Sequence, residues 1–378
     1  MTSRAIVCAL VLAASAVGVR PAGAEPKFLS KQYTRCTSCH VSPTGGGLLS
    51  SYGRSLSGQE LSLTGRRAPV GGDPSARVAT GEEAFLWGAF GEKLGPVQLG
   101  VELRPSHVRT LVNDQTFTRD IIMNADLVGA VQGRGWTFYG QVGREPTSPG
   151  WRIDSYEHWG GYQAQNGFGA RGGRFTPAYG VRFADHTAFN RTSLGFTQYD
   201  QVYGVEVSRT TERVLVQVAL APGLAESFGE GSTPTSFNGV GRMQIDLGPS
   251  TAFVVSGLYR DESDERGREG SGGAAFGFGL TSRMTVWTQA DMYGRDGTGK
   301  TGFVFINETA VEALRGVWLA VLPQWRADDG LRSETMRWAF TATVLPRTHF
   351  NANVSFYHDK PKNSLPAKTW LFQMHFYL

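Results

Sequence analysis

The chain has 378 residues, of which 40% are hydrophobic, 19% are charged and 49 are glycines. This composition excludes a disordered chain, which would be richer in charge, and three cysteines are too few for a disulfide-stapled scaffold. Past the first 20 residues no apolar run is long enough for a transmembrane helix, so a helical membrane protein is excluded too. The small net charge of +4 gives no reason to propose nucleic acid as a partner.

Residues 1–24 predict an export signal. Arg4 gives a positive start, a short apolar stretch follows, and residues 22–24 read Ala-Gly-Ala, a small-x-small cleavage pattern. We therefore expect a protein that leaves the cytoplasm and that keeps Cys36 and Cys39 as its cysteines after cleavage.

Residues 25–80 form a short basic head, with seven Lys and Arg residues against three acids. Within it, residues 36–40 read Cys-Thr-Ser-Cys-His, the C-x-x-C-H attachment pattern of c-type haem. Two thiols at this spacing attach to one porphyrin edge, and the adjacent histidine becomes the proximal ligand of the iron. A thioredoxin-like site would need a βαβ fold, and a zinc site would need a fourth ligand; the head offers neither. We predict one covalent haem c on Cys36, Cys39 and His40.

The head is too small to bury a haem by itself. We therefore expect the rest of the chain to complete the pocket, with the head acting as a plug or cap. Three glycines at 45–47 are either a tight turn beside the porphyrin or a flexible loop. Leu48, Leu49 and Tyr52 are the residues expected to cover the cofactor.

The distal side of the iron has no obvious ligand in the head. No methionine or second histidine lies between His40 and Gly81. The iron is therefore five-coordinate, or takes a weak ligand, or accepts a ligand from the rest of the chain. His186, His349 and His375 are the candidates there, and His186 is the preferred distal ligand.

Residues 96–378 alternate between apolar and polar with a period of two. In the segment 348–358, four positions on one face are apolar and the intervening ones are polar: Phe350, Ala352, Val354 and Phe356 against His349, Asn351, Asn353 and Ser355. Strands of about ten residues with one apolar face are typical of a membrane barrel, with the apolar side towards lipid and the polar side towards the lumen. A soluble sandwich has the same alternation in shorter strands.

Tight turns alternate with longer polar links along this region, as in bacterial outer-membrane barrels. Counting from Pro96 gives about 16 strands, and single-chain bacterial barrels have even strand numbers. Residues 81–95, including Glu82–Phe90, are therefore predicted as a linker or plug helix rather than a strand. The alternating aromatic pattern at 370–378 resembles the C-terminal assembly signal of such barrels. We predict an all-β, porin-like transmembrane β-barrel in the cell outer membrane.

The segment 171–191 is rich in arginines, aromatics and turn formers, a mixture that neither lipid nor open water demands. Links of this length are usually functional or disordered. We predict that it folds into the lumen, where its arginines find partners; an ordinary external loop is the alternative. The preference for His186 depends on this inward fold.

The segments around the haem motif resemble those of a known family. Pro26–Phe28, the C-x-x-C-H motif at 36–40 and the Leu-x-x-Tyr-Gly-Arg sequence at 49–54 resemble the haem segment of the fused monohaem c-type cytochrome–porins. The best-known members of that family serve iron-oxidising bacteria. The order of export signal, single haem motif and barrel also agrees with the family. The glycine-rich insert at 42–47 departs from the iron-oxidising members, which leaves the electron donor open.

The resemblance implies an outer-membrane electron-transfer protein. One haem c, at the periplasmic mouth or in the lumen, would pass electrons between an external donor or acceptor, such as ferrous iron, and a periplasmic c-type cytochrome. The apolar band in contact with outer-membrane lipid is insulating, so one haem serves both sides only from the lumen. The sequence leaves open whether the protein is an iron-oxidase type of oxidoreductase.

Two other functions fit parts of the sequence. A passive outer-membrane porin would use the head as a plug, would have no redox role and would need an open lumen. A soluble β-sandwich with haem as a sensor is disfavoured by the long strands, the alternating links and the chain end.

Overall fold

The computed structural model describes most of the predicted head and most of the predicted barrel. The predicted export signal at 1–24, the last part of the head at 65–80 and the predicted linker or plug helix at 81–95 lie outside the described residues. The described ranges are 26–64, 96–144, 153–197, 200–222, 237–261, 268–296, 300–328 and 332–377.

Sixteen strands form a closed antiparallel barrel in the described part of the chain. They are β1 (Val97–Val112), β2 (Gln115–Gly133), β3 (Trp136–Arg144), β4 (Ile153–Gln163), β5 (Phe168–Phe175), β6 (Val202–Thr210), β7 (Val214–Ala221), β8 (Phe237–Gly248), β9 (Thr251–Asp261), β10 (Arg268–Thr281), β11 (Met284–Arg295), β12 (Lys300–Leu314), β13 (Val317–Asp328), β14 (Ser333–Arg347), β15 (Phe350–Pro361) and β16 (Ala367–Tyr377). Each strand pairs with its sequence neighbours, and β1 pairs with β16 to close the barrel. The predicted all-β class and the count of 16 strands are confirmed.

Side chains alternate between two faces along each strand, as the period of two predicts. On β16, Trp370, Phe372 and Met374 point outward and are 44%, 45% and 53% exposed. Gln373 and His375 of the same strand point into the lumen. An outer face of large apolar side chains and a polar lumen is the arrangement that a bilayer requires of a spanning barrel.

The two ends of the barrel differ in their connections. The end where β1 begins and β16 ends carries only tight turns of two to four residues among the described connections, and we call it the short-turn end. The opposite end carries the longer links, including the link at 176–201 between β5 and β6. Its exception is the two-residue turn at 113–114 between β1 and β2.

Residues 26–64 form a small helical head. No helix of the described residues is long and apolar enough to span a membrane. The helical segments are a 3₁₀-helix at Pro26–Lys31, a 3₁₀ turn at Cys36–Ser38, α1 at Ser51–Leu56, a π-helical turn at Ser57–Leu61 that continues α1, and α2 at Phe189–Thr192 within the long link.

The head lies in the lumen at the short-turn end. Phe28 packs edge-on against Trp318 of β13, with ring centroids 5.5 Å apart. Leu63 N donates a hydrogen bond of 2.8 Å to Leu345 O, at the end of β14. Head and wall share one buried apolar cluster, formed by Phe28, Tyr33, Cys39, Leu56, Leu61, Ala310, Trp318 and Leu345. The barrel wall thus provides much of the hydrophobic core that so short a head lacks.

The guanidinium of Arg35 connects the head to the barrel wall through a salt bridge and hydrogen bonds. The residue is 2% exposed, and its Nη2 forms a salt bridge of 2.7 Å with Asp246 Oδ2 of β8. It also donates to the carbonyl oxygens of Thr211 and Glu212, at 2.8 and 3.1 Å, in the turn between β6 and β7. One buried side chain therefore bridges a strand and a neighbouring turn.

The link between β5 and β6 folds into the lumen, as the sequence predicts. Its backbone is held by two glutamines of the barrel wall: Val181 N donates to Gln289 Oε1, and Phe189 N donates to Gln324 Oε1, each at 2.8 Å. Three of its apolar side chains are buried against the wall in one cluster, formed in part by Val181, Phe183, Ala188, Val254, Trp287 and Ile306. Tyr179, Leu194 and Phe196 of the same link belong to a second buried cluster. We call this link the inward loop.

Replacing Arg35 by Ala is expected to loosen the head while the barrel stays folded. The change leaves Asp246 without its buried partner, and breaking a buried pair costs roughly 3 kcal/mol. Limited proteolysis of the folded protein in detergent should show faster cleavage of the head. Arg283→Ala removes an exposed arginine from a turn at the same end and should leave the cleavage rate unchanged. Equal rates for the two variants would contradict the role given to Arg35.

Candidate functional site

The C-x-x-C-H motif of the head forms one tight helical turn. His40 N and Cys39 N both donate to Cys36 O, at 3.0 and 3.2 Å. Cys39 lines the cavity described below, whereas Cys36 does not. The two cysteines lie three residues apart on one turn. Both cysteines are present as thiols. This is the spacing that attachment to one porphyrin edge requires.

The chain reverses after the motif through the glycines at 45–47. Their φ angles are +78°, +80° and +57°, a region that glycine adopts without strain. A Cβ on Gly45 would lie 3.3 Å from Cys36 Sγ. The returning chain then pairs with the motif, since Ser50 N donates to Cys39 O at 2.8 Å. The glycines therefore form a tight turn beside the motif, and its approach to a porphyrin stays a prediction.

The helix α1 packs directly against the motif. Ser50 is its N-cap and accepts a hydrogen bond of 3.1 Å from Gly53 N. A Cβ on Gly53 would lie 2.9 Å from Cys39 Cα, so the helix can approach this closely only with glycine at that position. Tyr52 is 46% exposed and does not line the cavity described next, so the expectation that it covers the cofactor is wrong.

A cavity of about 300 Å³ lies between the head, the barrel wall and the inward loop. Cys39 and His40 line it from the head. One of its walls is apolar and is formed by Phe28, Leu49, Leu56, Leu61, Trp318, Leu322 and Leu345. An apolar wall with a few convergent polar groups is typical of cofactor sites. Leu48 lies elsewhere, in the buried cluster with Tyr139 and Trp159.

The lining of the cavity is also polar and charged in part. Its ionisable residues include Glu102, Arg104, Arg182, His186, Arg191 and His375. Arg104 Nη2 forms a salt bridge of 2.5 Å with Glu102 Oε1, and Arg104 Nη1 contacts His186 Nε2. The inward loop is thereby joined to β1 of the barrel.

Arg182 joins the inward loop to the head. Its Nη1 donates to the carbonyl oxygens of Thr44 and Gly45, at 3.1 and 2.7 Å. Its guanidinium also lies close to Gly46, where an added Cβ would be 3.4 Å from Nη2. The glycine turn of the head and the inward loop are therefore in direct contact, and the cavity lies where the two meet.

The three candidate distal histidines are placed differently. His186 and His375 line the same cavity as His40. His349 is buried in the tight turn between β14 and β15 and does not line the cavity, so it is not brought to the motif. The structure thus brings together two of the three histidines that the sequence suggested.

The two cavity histidines differ in their hydrogen bonds. His375 Nε2 lies 3.1 Å from Glu102 Oε1, and its Nδ1 lies 3.3 Å from Asn351 Nδ2, so both ring nitrogens are engaged. His186 Nδ1 is buried and has no hydrogen-bond partner among the described residues. Burial and the charge of Arg104 hold the pKa of His186 well below its usual value, so the ring is neutral at pH 7. Neutral imidazole is the form that ligates a metal.

The sequence did not single out the wall residues of the site. The sequence pattern marks three of them only as inward-facing positions of predicted strands: Trp318, Leu322 and Leu345. Arg182 was contained in the arginine-rich link, but nothing in the sequence indicated its bonds to the glycine turn. The only signal for these contacts is the glycine run itself, since glycines permit close approach of another group.

Comparison with known proteins gives the fold. No family model matches the sequence, and no curated protein matches it. Among solved structures, OprB from Pseudomonas putida is similar with a TM-score of 0.63 and 9% identity, covering 85% of this chain and 100% of OprB. The anion-selective porin of Comamonas acidovorans gives a TM-score of 0.57 at 9% identity, covering 75% of this chain and 99% of that porin. A loop-deletion variant of OmpT from Vibrio cholerae gives 0.57 at 6% identity, covering 75% and 99%. The chain therefore has a porin-like β-barrel fold.

Replacing Gly53 by Ala is expected to displace the motif turn, although alanine is the better helix former by about 1 kcal/mol. The new methyl group would meet the Cys39 backbone, so helix and motif must move apart. In haem-free protein, the buried Cys39 thiol should then react faster with a maleimide. Ser51→Ala, at the exposed start of the same helix, is the matched control and should leave the rate unchanged. An unchanged rate in Gly53→Ala would show that the close approach is not needed.

Proposed function

We propose that this protein is an outer-membrane electron carrier with one covalent haem c on Cys36, Cys39 and His40, held inside its barrel. One observation carries the proposal: Cys39 and His40 of a C-x-x-C-H turn line a cavity whose other walls are the barrel and the inward loop. When bound, the haem iron supplies the redox chemistry, taking up one electron and releasing it again.

The residues of the site fit a haem on three independent points. The two cysteines lie three residues apart on one helical turn, which is the spacing of the attachment motif of c-type haem. The apolar wall around Trp318 matches a flat apolar ring. Arg182 and Arg191, which also line the cavity, match its two carboxylates in charge. The protein's part is to hold the ring, exclude water and set the potential through ligands and burial.

His40 is the proximal ligand in this proposal, and His186 is the distal ligand. His186 is supported over His375 by its hydrogen bonds: its Nδ1 is buried without a hydrogen-bond partner among the described residues, whereas both nitrogens of His375 are engaged. The low pKa of His186 keeps the ring neutral and able to ligate.

The position of the head indicates which partner lies at each end of the electron path. Short turns of bacterial outer-membrane barrels face the periplasm, and longer loops face outward. With the head at the short-turn end, its partner is a periplasmic c-type cytochrome. The inward loop enters from the other end, where an external donor or acceptor delivers or removes the electron. Ferrous iron is the first donor to test, because the resembled family includes iron oxidisers.

A passive porin with a plug is the alternative function. Permeation needs an open lumen, whereas the head and the inward loop both occupy the lumen and are bonded to each other through Arg182 and Gly45. A plug tied to a second lumen element is an obstacle to permeation but not to electron transfer. This contact favours the electron carrier.

Expression with a c-type maturation system should give one covalent haem per chain in the outer membrane. The measurement is the reduced absorption spectrum after denaturation and removal of free haem. Cys36→Ala combined with Cys39→Ala should abolish the signal, because no thioether can form. Ser38→Ala, between the two cysteines, should keep it. Wild-type protein without covalent haem, from cells that mature a control cytochrome, would refute the proposal.

His186→Ala is expected to change the ligation of the ferric iron, while His375→Ala leaves it unchanged. Loss of a strong distal ligand converts a low-spin iron to high spin, which electron paramagnetic resonance resolves. Both variants remove a histidine from the same cavity, so they are a matched pair. A low-spin signal that survives in His186→Ala would exclude His186 as the ligand.

A further inference from the structure

Three arginines lie in the polar part of the cavity lining. Arg182 and Arg191 belong to the inward loop, Arg104 belongs to β1, and all three line the cavity beside His186. They act on one another electrostatically, since both Arg182 and Arg104 disfavour the charge on Arg191. A cluster of like charges in a confined lumen has to be stabilised by opposite charge.

Arg191 and Arg104 each have one buried guanidinium nitrogen without a hydrogen-bond partner among the described residues. Arg191 is 4% exposed, and it donates from Nε to Phe196 O and from Nη1 to Phe183 O, each at 3.3 Å. Its Nη2 is buried and has no hydrogen-bond partner among the described residues. Burial and the charge of Arg182 lower the pKa of Arg191 to about 9, which still leaves it protonated at neutral pH.

The described lining of the cavity includes the acids Glu102, Glu157, Asp185 and Glu308. Asp185 and Asp200 favour the charge on Arg191, and Asp185 Oδ2 is buried without a hydrogen-bond partner among the described residues. The other oxygens of these nearby acids bond other groups. Glu102 forms its salt bridge with Arg104. Asp185 Oδ1 accepts from the backbone N and the hydroxyl of Thr187, each at 2.8 Å. Asp200 Oδ2 accepts from the backbone N and hydroxyl of Thr197, at 2.6 and 2.7 Å. Arg182 and Arg191 therefore form no salt bridge with these acids among the described contacts.

We propose that Arg182 and Arg191, with Arg104 beside them, form a buried anion site for carboxylate or phosphate-type oxygens, and that in the haem-loaded protein its ligands are the two haem propionates. Arginine donors suit this chemistry because the planar guanidinium binds oxyanions with paired, charge-assisted hydrogen bonds. The propionate assignment rests on the proposed function. The anion site itself rests only on residues of this chain.

The site would also orient the cofactor. Arg182 already bonds the glycine turn next to the motif, so a carboxylate bound to the same guanidinium would be held beside that turn. Positive charge near the propionates favours the reduced iron, because reduction lowers the net charge of the iron centre. Removal of Arg191 is therefore expected to lower the midpoint potential.

The first arm of the test uses haem-free protein, the Cys36→Ala, Cys39→Ala variant in detergent, titrated with inorganic phosphate by calorimetry at low salt. Saturable binding is expected, weakened roughly tenfold or more by Arg191→Gln, since a charge-assisted hydrogen bond is lost. Arg191→Lys should restore part of the affinity. Arg260→Gln is the matched control: Arg260 is 9% exposed and also bonds the inward loop, through Gly195 O, but does not line the cavity.

The second arm uses haem-loaded protein. It distinguishes haem propionates from a free anion as the ligands of the site. Loss of phosphate binding on haem loading, together with a lower midpoint potential in Arg191→Gln but not in Arg260→Gln, would support propionates as the ligands. Phosphate binding that is equal with and without haem would overturn the propionate assignment and leave a free anion as the ligand. Absence of saturable phosphate binding in the first arm, or binding unaffected by Arg191→Gln, would overturn the site itself. Wild-type protein that carries no covalent haem would refute the proposed electron-carrier function. The phosphate titration of the first arm would still show whether the anion site exists.

Discussion

The dependence of the head on the barrel wall is the constraint on which the rest of the structure rests. A segment as short as 26–64 cannot bury enough apolar surface to be stable alone. Phe28, Leu56 and Leu61 are buried because Trp318 and the neighbouring wall face them. The head therefore has to lie in the lumen, and this location brings the C-x-x-C-H turn inside an insulating wall.

The second element of the site comes from the opposite end of the barrel. The inward loop is held by glutamines of the wall and meets the head through the bonds from Arg182 to Thr44 and Gly45. Glycines at the contact allow the guanidinium to lie against the backbone. The loop also carries His186 and Arg191 to the cavity, so one segment provides both the proposed distal ligand and the proposed anion site.

Much of the barrel was predictable because a spanning strand has few physical solutions. The period of two, the alternation of tight turns with longer links and the even strand number together give sixteen strands, and the structure has them. The motif at 36–40 matches the C-x-x-C-H spacing of c-type haem attachment, and the haem itself stays a prediction. The inward loop followed from arginines and aromatics that neither lipid nor open water would explain.

The contacts between head and wall were not predictable from the sequence. Strand parity places a side chain towards the lumen but does not say which strand faces the head. Trp318 and His349 both satisfy this parity, yet Trp318 lines the cavity and His349 lies in a turn away from it. Which of these two residues faces the head depends on how the head is rotated about the barrel axis. Contacts between residues distant in sequence, such as the salt bridge of Arg35 with Asp246, set this rotation.

The central claim is that the haem lies inside the barrel, bound to the head and enclosed by the wall. The most direct measurement is X-ray diffraction at the iron absorption edge from crystals of the matured protein. We expect one anomalous peak in the lumen, within bonding distance of His40 Nε2 and inside the cavity bounded by Trp318 and the inward loop. An iron peak outside the barrel, or a barrel whose cavity holds no iron while the chain carries haem, would contradict this account.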